Sequence, residues 1–446
     1  MKPQVKSLLS ILFGVLITLC PAIYNHYVLL FTDSQIYITC GNELSFTEDR
    51  SFVYGWFVGF SSLHKSLWLT IIAQSLIFNW VCYSFVKQLA KHNTDYLYIP
   101  LIALLSIFSA LAWDVSHILP DIFSAIAIML LVILVRHKKP FKTEWYLLFV
   151  TYLLVLQMHF SFMLYNCLAM VILFLMKLIN PQFDKNKYVL LCILLGVFIN
   201  IGLFTLEKKV LGSDKFSKVS HVFLMGKLVE NGVLKEYLDE VCVTKKYEIC
   251  QYKDSLAPNN YSGNFIFHPS SAFQKTGAWN NPHIEYNVII RDILFTPKYL
   301  VKYTKAIIAE TIKLFNRNEI GSSIFAYPIG GWGPHPAVAK YYTNEMNQYK
   351  VSLQNTNTLY FPFGFMSGIY KVLLLLSVIG LMFYVRSNLI SVCIAMVGIV
   401  SNALVTGGLV GLEDRYATRQ NYLVILLLLI FVSNSALAFY KKKAKK

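Results

Sequence analysis

Apolar residues fall into ten long stretches, and the polar segment 207–365 separates the seventh stretch from the eighth. A stretch of about 20 apolar residues is long enough to cross a bilayer as a helix. The pattern predicts an all-α polytopic membrane protein with about ten transmembrane helices and one large extracytoplasmic loop domain of mixed structure. The predicted spans are Ser7–Phe31, Leu67–Phe85, Tyr96–Trp113, Ile122–Val135, Trp145–Met158, Phe162–Leu178, Tyr188–Leu206, Met366–Val385, Leu389–Val405 and Tyr422–Tyr440.

The same pattern divides the chain into three regions. We expect an N-terminal membrane domain of about seven spans over 1–206, the loop domain over 207–365, and a C-terminal membrane domain of about three spans over 366–446. Inside the loop domain, Ser220–Val241 and Pro297–Arg317 carry apolar residues at helical spacing and predict amphipathic helices. The second of these is rich in lysine, which favours a position along the membrane interface.

Charge gives the orientation. The 446 residues are 56% hydrophobic and only 14% charged, with a formal net charge of +16. Lys and Arg in the short loops number 17 on one side and 4 on the other. By the positive-inside rule, both termini are cytoplasmic and the long loop lies outside an inner (plasma) membrane. The basic residues are dispersed over many short loops, which indicates contact with membrane lipid and excludes nucleic acid as a partner.

Two of the eight cysteines lie close together in the outer loop domain. Cys242 and Cys250, in CVTKKYEIC, predict a disulfide in an oxidising compartment. A metal site is the weaker interpretation, because no nearby His completes a ligand set.

Ionisable residues recur where apolar stretches end on the outer side. Because a charge at this depth is costly unless it faces a wet cavity or a partner, such residues are functional candidates. They are Asp33, Asp114, His117, Asp121, His159, Arg415 and Arg419. Structural roles remain open: the aspartates could cap helices, His159 could be an interface histidine, and the arginines could bind lipid headgroups. The neighbouring Glu48, Asp49 and Arg50 are predicted to form a solvated charge cluster.

Four of these features resemble the GT-C class of polytopic membrane glycosyltransferases. They are an Asp in the first outward loop (Asp33), an acid at the start of the fourth span (Asp121), a His at the next turn (His159), and an Arg-Tyr pair before the last span (Arg415 and Tyr416). The resemblance covers the membrane part. It implies transfer of a sugar from a polyprenyl-phosphate carrier to an acceptor glycan, lipid or protein at the outer membrane face.

The chemistry of that reaction gives each residue an expected role. Asp33 would be the base that takes the proton from the attacking hydroxyl, with Asp121 as its partner or as a group that orients the acceptor. Arg415 or Arg419 would hold the leaving phosphate, and His159 would add a hydrogen bond. Asp114 and His117 would contact substrate. A divalent metal would take part only if Asp33 and Asp121 converge with further oxygen ligands.

Two other functions fit the same layout. An O-antigen polymerase or ligase also has about ten spans and one large outward loop, and its chemistry would then depend on His221, His283 and Arg291. A lipid or solute transporter or flippase is the second rival. Transporters commonly show two similar halves and ionisable residues at mid-membrane depth, whereas here the acids gather at the outer edge and no such halves are evident.

Overall fold

The computed structural model describes residues 3–47, 50–91, 94–136, 143–179, 187–211, 220–257, 261–281 and 283–443. Within these ranges the protein is all-helical, without a β-strand; one isolated bridge pairs Leu29 with His117. The described part of the segment 207–365 consists of helices and irregular connections.

Twenty-one α-helices and three short 3-10 helices account for the regular structure of the described ranges. The first eleven are α1 (Pro3–Thr18), α2 (Cys20–Tyr24), α3 (Ser34–Glu43), α4 (Phe52–Ser62), α5 (Leu67–Leu89), α6 (Thr94–Phe108), α7 (Leu111–Ser116), α8 (Ile122–Arg136), α9 (Thr143–Gln157), α10 (Phe160–Ile179) and α11 (Lys187–Leu211). Then follow α12 (Ser220–Glu230), α13 (Val233–Val241), α14 (Ser262–Phe267), α15 (Ala272–Lys275), α16 (Ile284–Phe295) and α17 (Pro297–Asn316). The last are α18 (His335–Tyr341), α19 (Met346–Val351), α20 (Phe363–Leu409) and α21 (Asp414–Lys443), and the 3-10 helices are Glu248–Ser255, Ala278–Asn280 and Thr343–Glu345.

The chain forms two compact units. Unit 1 comprises residues 1–203, 318–401 and 414–446, and unit 2 comprises 204–317 and 402–413. The polar segment 207–365 is therefore divided at Arg317, and its C-terminal part belongs to unit 1 together with the apolar helices.

The described ranges contain fewer helices of spanning length than the ten predicted. Among the described residues four are long and apolar enough to cross a membrane: Leu67–Leu89, Phe363–Tyr384, Asn388–Leu409 and Asp414–Tyr440. A fifth results if Thr143–Gln157 and Phe160–Leu168, which meet at a bend of 120°, form one interrupted crossing. Four other apolar helices are shorter, at 10–17 residues: Gln4–Thr18, Thr94–Phe108, Ile122–Arg136 and Leu194–Leu203. Several apolar helices can thus span a membrane, as in a multi-pass protein.

The first predicted span is interrupted. Helix α1 ends at Thr18, and Pro21 stands in the first turn of α2, where the missing N–H of proline costs no helical hydrogen bond. After Tyr24 the chain is irregular as far as Asp33. The apolar stretch of the sequence is therefore longer than the helix that it forms. Hydropathy reflects composition and does not detect where the backbone leaves the helical conformation.

Helices α3 and α4 pack side by side with the same chain direction. Tyr37 contacts Tyr54, with ring centroids 4.8 Å apart, and further along Gly41 lies against Gly59. A Cβ built on Gly59 would lie 2.1 Å from the carbonyl oxygen of Gly41, so only glycine fits this contact. Small residues let helix backbones approach this closely. The same register brings the start of α4 beside the start of α3.

A backbone connection ties the loop before α3 to the loop before α8. The N–H of Leu29 donates to the carbonyl of Ser116 at 3.0 Å, and the N–H of Ile118 donates back to the Leu29 carbonyl at 3.0 Å. Ser34 Oγ adds a bond to the Ile118 carbonyl at 2.9 Å. From α5, Gln74 Nε2 donates to the carbonyls of Val115 and His117. Buried backbone groups in this irregular region are thereby paired.

Unit 2 has its own apolar core. Helices α12, α13, α14, α16 and α17 contribute buried residues that include Leu228, Leu234, Phe265, Ile289 and Tyr303. Cys242 and Cys250, which the sequence suggested as partners, are joined in a disulfide at a Cα–Cα distance of 5.8 Å. The disulfide links the end of α13 to the 3-10 helix Glu248–Ser255.

Candidate functional site: an arginine–aspartate cluster

Two arginines project from the first turns of α21. Arg415 and Arg419 are four residues apart, so they lie on the same face of the helix. Their positively charged groups meet two aspartates that come from loops far away in the sequence. Together with a third arginine, these residues form a cluster in unit 1, here called the arginine–aspartate cluster: Asp33, Arg50, Asp121, Arg415 and Arg419.

Each carboxylate oxygen of Asp33 faces a different arginine. Arg50 Nη2 donates to Oδ1 at 2.9 Å, and Arg415 Nη2 donates to Oδ2 at 3.3 Å. Asp33 stands at the N-terminal boundary of α3, but its side chain makes no capping hydrogen bond there. The capping role that the sequence left open is therefore not the one observed.

Asp121 is held in the same way. Arg419 Nη1 donates to Oδ1 at 2.8 Å, and Arg415 Nη1 lies 3.6 Å from Oδ2. Arg415 is thus shared between the two aspartates. Three guanidinium groups and two carboxylates leave the cluster with a formal excess of one positive charge.

His159 joins the cluster through a serine. Its Nδ1 lies 2.8 Å from Ser161 Oγ, which accepts a bond from Arg419 Nη2 at 3.3 Å. His159 occupies the bend between α9 and α10, so this bend carries its side chain toward α21. The chain of contacts runs from His159 through Ser161 and Arg419 to Asp121.

Exposure is graded across the cluster. The side chains of Arg419 and Asp121 are 0% and 6% exposed, while those of Arg415 and Asp33 are both 14% exposed and that of Arg50 is 19% exposed. The accessible edge is therefore formed by Arg50, Asp33 and Arg415. Because Arg419 is fully buried, anchoring to lipid headgroups is wrong for this residue.

The arginines keep both aspartates ionised. Burial alone would raise the pKa of Asp33, but Arg50 and Arg415 outweigh it and lower the pKa to about 2. Burial likewise opposes the shift at Asp121, whose pKa Arg415 and Arg419 hold below its ordinary value. Burial of an ion pair is tolerated when both partners are also hydrogen-bonded, as they are here.

Aromatic rings cover the guanidinium faces. The Arg415 guanidinium lies 4.4 Å from the ring centroid of Phe31 and 5.0 Å from that of Tyr416. Arg419 lies 5.1 Å from Tyr416 and 5.6 Å from Phe162. These cation–π contacts fix the planes of both guanidiniums and leave their edges to the carboxylates.

Asp114 and His117 are buried rather than part of a loop surface. His117 Nδ1 lies 3.0 Å from the Trp113 carbonyl, and burial lowers the pKa of His117 to about 4, so the ring is neutral. Burial raises the pKa of Asp114, and so does the nearby negative charge of Asp121. Among the described residues, Asp114 Oδ2 and His117 Nε2 have no hydrogen-bond partner.

Arg50 is the member of the cluster that the sequence did not identify. It was grouped with Glu48 and Asp49 as a solvated charge cluster, which is wrong for Arg50; the two acids lie outside the described residues. The apolar helix α4 follows directly, FVYGWFVGFSS, and packs on α3. An apolar helix inside a predicted outward loop was the available signal that Arg50 would be drawn inward.

The residues of the rival polymerase interpretation lie in unit 2. His283 stacks on Tyr286 with ring centroids 4.5 Å apart, and its Nε2 lies 2.7 Å from the Ala278 carbonyl. His221 is buried near the same tyrosine, at 6.2 Å between centroids. Arg291 is exposed on α16. The two histidines therefore pack in the core of unit 2.

The donor set of the cluster does not suit a metal ion. Asp33 and Asp121 converge, but on guanidinium groups, which repel cations. Within the part of the chain that the structure describes, no group of three or more His, Cys, Asp or Glu side chains could hold a metal.

Comparison with known proteins gives no assignment: no family model, curated protein or solved structure matches the chain. The function must therefore be argued from the cluster itself.

Proposed function

We propose that the protein is an integral-membrane glycosyltransferase that moves a sugar from a polyprenyl-phosphate carrier to an acceptor glycan, lipid or protein. The observation that supports this function most is that Arg415 contacts both Asp33 and Asp121 at the accessible edge of the arginine–aspartate cluster, which carries a net positive charge. Arginine forks match the oxygens of a phosphate, and an excess positive charge attracts one.

The proposal includes an orientation that hydropathy and charge support. Ten membrane crossings, counting the shorter apolar helices and taking α9 and α10 as separate crossings, would place both termini in the cytoplasm. Unit 2 would then lie outside an inner (plasma) membrane. In this arrangement the cluster, at the start of α21, would meet the lipid-linked phosphate at the outer membrane face.

Phosphate binding changes what Asp33 can do. While Arg50 and Arg415 hold both of its oxygens, a pKa of about 2 makes Asp33 a poor base. A donor phosphate that engages Arg415 weakens one of these contacts. Burial, which raises the pKa of Asp33, is then opposed mainly by Arg50, and the oxygen that faced Arg415 becomes available to accept a proton. The donor thereby activates the base only when it is bound.

The transfer step follows from these positions. The acceptor hydroxyl oxygen attacks the anomeric carbon of the sugar, and its proton passes to Asp33. The bond between the anomeric carbon and the phosphate oxygen breaks, and the phosphate leaves with the electron pair. Arg415 stabilises the growing negative charge, while Arg419 and Asp121 hold the Arg415 side chain and the His159 turn in position.

The decisive experiment separates donor binding from transfer in the variant Asp33→Asn. Protein in lipid nanodiscs is titrated with undecaprenyl phosphate, and transfer is followed with radiolabelled undecaprenyl-phosphate-linked glucose, mannose and arabinose on a crude envelope acceptor. We expect D33N to bind undecaprenyl phosphate at least as tightly as wild type, because the excess positive charge rises from one to two. Transfer should fall by about 10²–10⁴-fold, the usual contribution of a base.

Matched arginine variants complete the test. Arg415→Gln should weaken undecaprenyl phosphate binding by about tenfold or more, and Arg415→Lys should recover only part of it, because a lysine lacks the fork. Arg291→Gln, on the exposed surface of unit 2, should change neither quantity.

Four outcomes would contradict the proposal. Full transfer by D33N would remove Asp33 as base, and loss of both binding and transfer in D33N would assign it a structural role. Loss of transfer in R291Q with normal R415Q would favour the polymerase or ligase alternative. Flipping of the lipid by wild type without any transfer would favour the flippase.

A further inference from the structure

A second polar region lies wholly within unit 2. A cavity of about 600 Å³ opens beside α17, well within the roughly 300–1,000 Å³ of small-molecule sites. From α17, Ala306, Ala309, Glu310 and Lys313 line it at the three- and four-residue spacing of one helix face, and Arg317 lines it just after the helix ends at Asn316. The two alanines leave the space that larger side chains would fill.

Buried charges stand beside this cavity. The fully buried Lys227 places its Nζ 3.1 Å from Glu230 Oε2 and 2.9 Å from Glu310 Oε2. Both glutamates line the cavity. One ammonium between two carboxylates leaves a net negative charge, so the wall offers hydrogen-bond acceptors. Burying three charged groups is costly, and such groups cluster at functional sites more often than elsewhere.

A donor lies next to these acceptors. Asn231, between α12 and α13, accepts the Val233 N–H through Oδ1 at 3.2 Å. Its Nδ2 is buried, and among the described residues it has no hydrogen-bond partner. Asn231 also lines the cavity, so an amide donor is available there to a ligand.

The rest of the lining sets the polarity of the ligand. Tyr261 contributes an aromatic ring and donates its hydroxyl to Glu413. Arg317 is fixed by a bond from Nη1 to the Leu412 carbonyl at 2.6 Å, and it stands with Lys313 on the exposed side of the cavity. A free phosphate would meet the carboxylates, and a metal ion would meet the cationic side chains of Lys313 and Arg317, so neither suits the lining.

We propose that this cavity binds a saccharide. A sugar hydroxyl donates one hydrogen bond and accepts another, so adjacent hydroxyls match the Glu310 and Glu230 carboxylates together with Asn231 Nδ2. The Tyr261 ring supplies an apolar surface for a sugar face. The inference rests on the proposed function in one respect, namely that the bound saccharide would be the acceptor of transfer.

The test is direct binding, which needs no turnover. Full-length protein in nanodiscs is mixed with the methyl glycosides of glucose, galactose, mannose, N-acetylglucosamine and glucuronic acid, and binding is read by saturation-transfer-difference NMR. We expect at least one glycoside to bind. Asn231→Asp keeps the acceptor for Val233 but removes the donor, so its dissociation constant should rise about tenfold or more. Asn280→Asp, the same change on an exposed residue outside the lining, should bind like wild type.

A second variant covers a failure of N231D to fold. Ala309→Leu extends from α17 into the cavity and should abolish binding by filling it. No binding by wild type to any of the five glycosides, or equal binding by wild type and A309L, would overturn the inference. Arg415→Gln should leave glycoside binding unchanged, so a failed transferase proposal and a failed saccharide site give different results.

Discussion

Arg415 contacts both Asp33 and Asp121, and the sequence predicts this arrangement only in part. The sequence marks Asp33, Asp121, His159, Arg415 and Arg419 because each follows or precedes an apolar stretch on the outer side. The structure brings all five together. Which oxygen meets which guanidinium could not be predicted, because pairing between residues hundreds of positions apart depends on the packing of the helices that carry them.

At this scale the lowered pKa of Asp33 predicts a dependence of stability on pH. A carboxyl whose folded pKa is about 2, against an ordinary value of 3.8, stabilises the folded state fully above about pH 4. That contribution is lost as the pH falls from about 4 toward 2. Asp33→Asn lacks it at every pH, so the difference in thermal unfolding midpoint between wild type and D33N in detergent should shrink over this interval.

The measurement reports on the pair of aspartates, because Asp121 shares Arg415 with Asp33 and its own titration responds to the loss of Asp33. A difference between wild type and D33N that stays constant from pH 6 to about pH 2 would contradict the ion pairing of Asp33.

At the scale of helices, apolar periodicity predicted most elements of spanning length, and it failed where helices are broken or short. The stretch Leu67–Phe85 corresponds to α5, and the predicted amphipathic helix Pro297–Arg317 corresponds closely to α17. The parallel packing of α3 on α4 was not predictable, because a chain reversal between two helices usually gives antiparallel neighbours. This packing is what places Arg50 beside Asp33.

The glycine contact between these helices makes the arrangement testable. In Gly59→Ala the new Cβ would lie 2.1 Å from the Gly41 carbonyl oxygen, so α4 must shift away from α3. We expect a loss of about 1–3 kcal/mol in the free energy of unfolding, typical of overpacking. Because Arg50 moves with α4, undecaprenyl phosphate binding should weaken as well.

The matched control is Gly368→Ala in α20. A Cβ at Gly368 meets nothing within 4 Å, so this variant should be neutral or more stable by up to about 1 kcal/mol, the helix propensity of alanine over glycine. Equal stability of G59A and G368A would show that the two helices do not pack as described.

At the scale of the whole molecule, the predicted boundary of the loop domain at 365 differs from the boundary between the two units at Arg317. The predicted boundary lies where the polarity of the sequence changes, whereas the boundary of a compact unit depends on the contacts between its residues. The segment 318–362 is polar and largely irregular, yet it supplies Gln354, whose side chain bonds the backbone of Leu30 in the loop before Asp33. The pattern of polar residues along the sequence does not show that this polar segment supports the arginine–aspartate cluster.

The side of the membrane on which unit 2 lies can be tested through the disulfide of Cys242 and Cys250. With the other six cysteines replaced by serine, intact cells are treated with a membrane-impermeant maleimide. We expect no labelling before reduction and labelling of both thiols after an impermeant reductant, because an oxidising outer compartment preserves the bond. Labelling before reduction would mean that the two thiols are free. Labelling only after the cells are permeabilised would place unit 2 in the cytoplasm, on the side of the membrane opposite a polyprenyl-phosphate sugar at the outer face.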